Sequence, residues 1–273
     1  MKKLTGSIIK AYIKHRDSSS HKGDYGHALL IAGSKGCMGA AVISARACLR
    51  TGSGLLTMNV PEEERFALQI IPEAMLQMRE NAVCDLTKFS AIGIGPGIGT
   101  KKDSQRILKK VIAEFNKPTV FDADALNIIS ANKQLLSKIT KGTILTPHPK
   151  EFDRLFGAHK NVDERVITAI EQAQRYNIVI VLKGNKTLVT FAGEAFLNTT
   201  GNAGLAKGGS GDALTGIITS FLAQGYDPFI AAKLGVYFHG LAADIALKSQ
   251  SMESMLITDV IECFGKAFAQ IAK

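Results

Sequence analysis

The segment Gly201-Asn-Ala-Gly-Leu-Ala-Lys-Gly-Gly-Ser-Gly-Asp212 runs directly into Leu214, Ile217, Ile218, Phe221 and Leu222, an apolar stripe at helical spacing that stops at Gly225. A glycine-rich loop that feeds a helix has a definite physical meaning. The first turn of a helix carries unpaired backbone N–H groups and a partial positive charge, so it receives anions. Glycines at 208, 209 and 211 remove side chains that would hold a phosphoryl group at a distance. Asp212 falls on the first turn, beside whatever the nest holds. A carboxylate there suits removal of a proton from a hydroxyl as phosphoryl transfer proceeds. A plainer alternative stays open at this point: the glycines form a turn, and Asp212 is an ordinary acid at a helix start.

Upstream of this loop, short β-rich runs alternate with helical stretches, which predicts an α/β fold with a mostly parallel central sheet and helices on both faces. Strands are expected at His27–Ala32, Leu55–Val60, Ala91–Ile94, Thr119–Asp122, Ile144–Thr146 and Ile178–Lys183. Thr187–Phe191 and Ala195–Asn198 follow, joined through Ala192-Gly193 as a hairpin, so a late part of the sheet is antiparallel. Helices are expected over Gly39–Thr51, rich in Ala and Ser and ended by Gly52, and over Thr100–Phe115, Asp163–Tyr176 and Phe229–Leu247. The glycine-rich pieces Gly33–Gly39, Gly93–Gly99 and Lys183-Gly184 each follow a predicted strand. Open α/β sheets bind ligands beyond the carboxyl ends of their strands, and several such loops point to an extended, phosphate-bearing ligand.

The chain has 273 residues, 46% of them hydrophobic, and shows no linker, charge block or repeat, so one domain over 1–273 is expected. The four cysteines (Cys37, Cys48, Cys84, Cys263) form no CxxC pair, which fits a reducing, cytoplasmic setting and no zinc site. Lys10 and Lys14 interrupt the first apolar stretch before a signal-peptide core could form, and no apolar run is read as long enough to span a membrane. A net charge of +9 raises the question of nucleic acid, but the basic residues are scattered and no Trp is present. A solvated basic surface that attracts small polyanionic ligands is the expectation, with no nucleic acid and no membrane as partners.

Gly208-Gly209-Ser210-Gly211-Asp212 resembles the Gly-Ala-Gly-Asp anion-hole motif of ribokinase-like kinases, with Ser210 in place of Ala. Thr146-Pro147-His148-Pro149-Lys150-Glu151 is similar to their Thr-Pro-Asn-x-x-Glu motif, with His148 where sugar and vitamin kinases have Asn. The Pro-His-Pro form resembles one branch, the ADP/ATP-dependent NAD(P)H-hydrate dehydratases. His21-Lys-Gly-Asp-Tyr-Gly26, Gly33–Ala41, Gly95-Pro-Gly-Ile-Gly99, Asp122-Ala-Asp-Ala-Leu126 and Val181-Leu-Lys-Gly184 match that branch in order.

The resemblance implies a ribokinase-like three-layer sandwich and the dehydration of the S epimer of hydrated NADH and NADPH. The C6 hydroxyl of the hydrated nicotinamide is phosphorylated by ATP or ADP, and phosphate then leaves. By the same resemblance Asp212 is the base, and the backbone N–H groups of Gly209, Ser210, Gly211 and Asp212 stabilise the transferring group. Lys183, Gly184, Asn185, Lys186, Thr187 and Gly211 line the nucleotide. Ala40, Gly97, His148 and Asp212 contact the hydrated dinucleotide, and Glu151 holds Mg2+ through water. A homo-oligomer, plausibly a tetramer, and a separate epimerase for the hydrate are further implications. Small-residue helices are expected to be available for packing between subunits.

Three points keep alternatives in view. His148, between two prolines, could serve only as a loop cap. Asp124 could be the N-cap of the helix that follows it rather than one of a catalytic carboxylate pair with Asp122. A small-molecule kinase of the same fold would share the anion hole, base and nucleotide loop. A Rossmann dehydrogenase fits poorly, because Gly93–Gly99 does not spell GxGxxG and no acidic residue follows Gly33–Gly39 at the required distance.

Overall fold

Successive residues of the strand His27–Ile31 are almost all apolar, and they divide between two cores. Ala28 and Leu30 belong to one cluster of buried residues, Leu29 and Ile31 to the other. Val179 and Val181 against Ile180 and Leu182 repeat the division. Side chains on a strand alternate between faces, so a continuous apolar run means that both faces are covered.

The computed structural model describes residues 1–80 and 85–272; Cys84 lies outside them. The strands are β1 (Lys2–Leu4), β2 (His27–Ile31), β3 (Leu55–Val60), β4 (Met75–Met78), β5 (Ala91–Ile94), β6 (Thr119–Phe121), β7 (Ile144–Leu145), β8 (Val179–Leu182), β9 (Leu188–Phe191) and β10 (Glu194–Asn198). They form one ten-stranded sheet in the order β1-β10-β9-β8-β7-β6-β5-β2-β3-β4. From β4 through β8 every pairing is parallel; β9 alone runs against its neighbours. The β9–β10 hairpin turns through Ala192 and Gly193, both at positive φ (49° and 83°) as a two-residue turn requires.

The helices are α1 (Gly6–Tyr12), α2 (Met38–Thr51), α3 (Lys102–Glu114), α4 (Ala123–Ala131), α5 (Pro149–Phe156), α6 (Val162–Tyr176), α7 (Ser210–Ala223), α8 (Pro228–Ala246), α9 (Ile257–Glu262) and α10 (Phe264–Ala272). Helices α2, α7 and α8 build one core with α9 and α10; α3, α4, α5 and α6 build the other. The fold is therefore three-layered, with the sheet in the middle. Small residues let α2 lie hard against α7: a Cβ on Gly216 would stand 2.1 Å from the Ser44 carbonyl oxygen. In α7 every residue from Ala213 to Ala223 is buried, so this helix is used inside the molecule.

Two further sequence expectations need correction. Helix α8 is long and apolar enough to cross a membrane, with mean hydropathy 1.3 over its best window. Its composition has a different cause, because 89% of that window is buried inside the protein. Asp124 is not the N-cap of α4 either. The cap position is Asp122, and Asp124 sits in the first turn with its carboxylate directed elsewhere.

Two strands were not anticipated. β1 is three residues long and mostly exposed, and β4 is a short edge strand with Met75 and Leu76 exposed, so neither carries a readable alternation. The strand ends moved in a useful direction. β6 stops at Phe121 and β8 at Leu182, so Asp122 and Lys183 lie just beyond the sheet.

Candidate active site

Because β2, β5, β6, β7 and β8 are parallel, the loops that leave their carboxyl ends open on one side of the sheet. Each loop has a local reason for its shape. Gly95, at φ 135°, passes so close to the β6–α4 loop that a Cβ would stand 1.8 Å from the Asp122 carbonyl oxygen. Ala123 takes φ 46°, a left-handed conformation that a non-glycine residue adopts at a cost of about 1 kcal/mol or more. That turn sends Asp122 and Asp124 in different directions. Asp122 Oδ1 accepts from Lys183 Nζ at 2.8 Å and its Oδ2 accepts from Thr215 Oγ1 at 2.8 Å, whereas Asp124 Oδ2 accepts from Gly99 N at 2.8 Å.

The first turn of α7 closes over this pair. Gly209 is its N-cap at φ 92°, and a Cβ there would meet Ile43 Cδ1 of α2 at 2.5 Å. A Cβ on Gly211 would lie 3.2 Å from Lys183 Nζ and 3.4 Å from Asp122 Oδ2. Helix start, lysine and aspartate therefore meet at one point. Of the nest's backbone donors, Ser210 N–H is already given to the Lys207 carbonyl at 3.3 Å. Among the described residues, no protein acceptor meets the N–H groups of Gly211 and Asp212. An anion is accordingly offered the two donors that follow Ser210.

Asp212 is the group whose electrostatics stand out. Burial, and then the negative charge of Asp122, push its pKa up to about 6, with Lys183 opposing and Asp124 adding to the rise. At neutral pH it is mostly ionised yet retains appreciable basicity, which is what a general base needs. Lys183 stays cationic: burial alone would lower its pKa, but Asp122 and Glu151 outweigh that and raise it.

His148 caps helix α5. Its Nδ1 accepts from Lys150 N at 3.1 Å and Glu151 N at 3.4 Å, while Glu151 Oε2 accepts from His148 N at 2.8 Å, a reciprocal capping box. An accepting Nδ1 places the ring proton on Nε2, which lies 3.4 Å from Glu151 Oε1. Burial, Lys183 and Arg154 hold the His148 pKa below the ordinary histidine value, consistent with that neutral ring. Glu151 is buried, its Oε2 3.9 Å from Lys183 Nζ; burial raises its pKa against the pull of Lys183.

Ala40 and Gly97 form a second focus. Gly97 is at φ 62°, and a Cβ would meet the Cys37 carbonyl oxygen at 3.0 Å and Ala40 Cβ at 3.1 Å. Ser34 Oγ donates to the Gly97 carbonyl at 2.7 Å. Gly184, Asn185 and Lys186 are exposed at the rim, where Thr187 Oγ1 donates to the Gly184 carbonyl at 3.3 Å. The His21–Gly26 segment precedes β2 and therefore sits at the opposite, amino end of the sheet. Thr215 was missed from sequence; an isolated threonine within an apolar helix gives no signal. Among the described residues no cluster of three or more His, Cys, Asp or Glu is arranged to hold a metal ion.

The family model described as NAD(P)H-hydrate dehydratase matches residues 28–265. The chain is 36% identical, over 97% of its length and 98% of the relative's, to the ADP-dependent (S)-NAD(P)H-hydrate dehydratase of Bacillus subtilis. It is 34% identical to the bifunctional NAD(P)H-hydrate repair enzyme Nnr of Moorella thermoacetica, of which it spans 52%. The crystal structure of the ADP/ATP-dependent NAD(P)H-hydrate dehydratase from Bacillus subtilis, co-crystallised with ATP and Mg2+, superposes with a TM-score of 0.88 at 34% identity, covering 99% of this chain and 98% of that one. The three-layer architecture is thus the ribokinase-like one.

Proposed function

The chain belongs to the NAD(P)H-hydrate dehydratase family, and from that premise we propose that it dehydrates the S epimer of hydrated NADH and NADPH at the expense of ATP or ADP. The observation that carries the reading is the position of Asp212. It is a half-buried carboxylate with a pKa raised to about 6 on the first turn of a glycine-capped helix, beside the Lys183–Asp122 pair.

In this reading the transferring phosphoryl group rests on the N–H groups of Gly211 and Asp212, with Gly209 supplying the left-handed turn that exposes them. Ser210, whose N–H is given to the Lys207 carbonyl, contributes its place in the turn. Asp212 accepts the C6 hydroxyl proton as the new oxygen–phosphorus bond forms. Phosphate then departs as the C6–O bond breaks, driven by the ring nitrogen lone pair, which leaves an iminium. Loss of the C5 proton, to the departing phosphate or to water, forms the C5–C6 double bond and restores the reduced nicotinamide. Lys183, with Gly184, Asn185, Lys186 and Thr187, receives the nucleotide phosphates and sugar. Ala40, Gly97 and His148 hold the hydrated dinucleotide. Glu151, a carboxylate oxygen donor beside Lys183, would help to hold a Mg2+ ion through water, the phosphates supplying its other ligands, and the ion would neutralise phosphoryl charge.

We further propose that residues 1–273 act as one domain in a reducing cytoplasm, and that a homo-oligomer forms. Exposed Phe66, Ile70, Met75 and Leu76, on and beside edge strand β4, offer one surface for such assembly. The chain spans about half the length of its bifunctional relatives; epimerisation of the hydrate is assigned to a separate protein as a proposal. The alternative reading, a vitamin or sugar kinase, predicts a different acceptor. With ATP and Mg2+, hydrated NADH should stimulate nucleotide consumption and thiazole, pyrimidine or sugar alcohols should not. A stable phosphorylated alcohol formed in preference would establish the kinase instead.

A further inference from the structure

At the far side of the crevice, just past β4, a half-buried arginine makes four hydrogen bonds to the ends of two neighbouring strands. Arg79 Nη1 donates to the Gly33 carbonyl at 2.8 Å, Nη2 to the Ala32 and Asn59 carbonyls at 2.9 Å each, and Nε to Asn59 Oδ1 at 3.2 Å. Its own backbone N–H donates to Val60 at 2.8 Å, which fixes the base of the side chain. All four side-chain acceptors are neutral oxygens. Burial lowers the Arg79 pKa to about 10, with Glu80 opposing, so it stays cationic at neutral pH.

What the guanidinium grips matters more than the number of bonds. Gly33 is at φ 75°, and a Cβ there would meet Met38 Sδ at 2.7 Å and Ala41 Cβ at 3.0 Å, so it is packed on the start of α2. Its N–H donates to the Pro96 carbonyl at 2.8 Å, and the next residue, Ser34, donates from Oγ to the Gly97 carbonyl at 2.7 Å. One planar fork thus fixes Gly33, which in turn fixes the loop that carries Gly97 against Ala40.

We infer that Arg79 is a positioning residue for the hydrated dinucleotide: it sets the spacing between the Gly33–Ala40 loop and the Gly95–Gly99 loop, and so shapes the floor on which that substrate lies. The inference rests on the functional reading above and adds a residue that never touches the reacting atoms. Arg79 is irreplaceable by lysine in this role, because an ammonium has no fork to reach Gly33, Ala32 and Asn59 together.

The test compares wild type with Arg79→Lys and Arg79→Ala in the full chain. Arg79→Lys should lower kcat/KM for hydrated NADH by about 10- to 100-fold through KM, while the nucleotide KM stays within about threefold. Amide hydrogen exchange in residues 33–40 should quicken in both variants. Millimolar guanidinium should restore part of the Arg79→Ala loss, whereas ammonium should not. Arg79→Lys with a wild-type KM for the hydrate and wild-type exchange would overturn the inference. A wild-type protein inert toward hydrate would contradict the functional reading instead, and the exchange comparison would still decide whether Arg79 holds the loop.

Discussion

Lys183 Nζ stands 2.8 Å from Asp122 Oδ1 and 3.9 Å from Glu151 Oε2, directly behind Gly211 in the first turn of helix α7. The ammonium is pre-positioned by two carboxylates that the proposed chemistry does not consume. Both signs of charge act on Asp212: Asp122 raises its pKa and Lys183 lowers it. Asp122→Asn should therefore lower the Asp212 pKa, and the acid limb of the kcat profile should move to lower pH. Lys183→Met should move it the other way while weakening nucleotide binding. Limbs that stay fixed in both variants would show that another group controls the profile.

The wild-type pH profile follows from the same value. A base with a pKa near 6 is lost as pH falls through 6, so turnover should drop about tenfold per unit below that point. Initial rates in buffers of constant ionic strength would check it. A flat profile down to pH 4.5 would exclude Asp212 as the titrating base.

Asp212→Asn separates function from stability. Turnover should fall by about 10²- to 10⁴-fold, with nucleotide affinity little changed because the backbone nest remains. Stability should move in the opposite sense. A carboxyl whose folded pKa is raised from 3.8 to about 6 contributes stability below pH 3.8 that is lost as pH rises through 6. The charged form is thus a burden at neutral pH, and Asp212→Asn should be more stable by about 1–3 kcal/mol at pH 7.5, a value discounted for partial exposure. That gain should vanish near pH 4, and denaturant midpoints at the two pH values would show it.

His148 has two roles that substitutions can divide. As the cap of α5, it should cost about 0.5–2 kcal/mol of stability when replaced by Ala. Asn is a good N-cap, so His148→Asn should keep most of that stability. Both variants should lose hydrate affinity by about 1–3 kcal/mol if the ring donates to the substrate from Nε2. Thermal melts and hydrate KM values together check this. Full hydrate affinity in His148→Asn would leave only the cap.

Much of this was legible because particular residues leave no choice. The period-two division of Ala28, Leu29, Leu30 and Ile31 dictates a sheet covered on both faces, and the glycines of Gly208–Asp212 leave a helix start bare of side chains. Asp122 and Asp124 looked like a pair in sequence, yet the positive φ of Ala123 turns them apart, and no propensity scale foretells a strained alanine. Thr215 and Arg79 were invisible because their meaning lies in partners 93 and 46 residues away, Asp122 and Gly33. His239 is a further case: an apolar helix hides it, and burial, with Lys183 adding, lowers its pKa to about 4.

Restoration of reduced nicotinamide at the cost of one phosphoryl group can be followed directly. Purified protein, Mg2+ and limiting ATP or ADP should be mixed with S-hydrated NADH while near-ultraviolet absorbance and released inorganic phosphate are followed together. The two should rise in equal amounts, and neither should rise when nucleotide is withheld. Phosphate released without recovered NADH absorbance, or hydrate left intact while the nucleotide is spent on another alcohol, would contradict the proposed function.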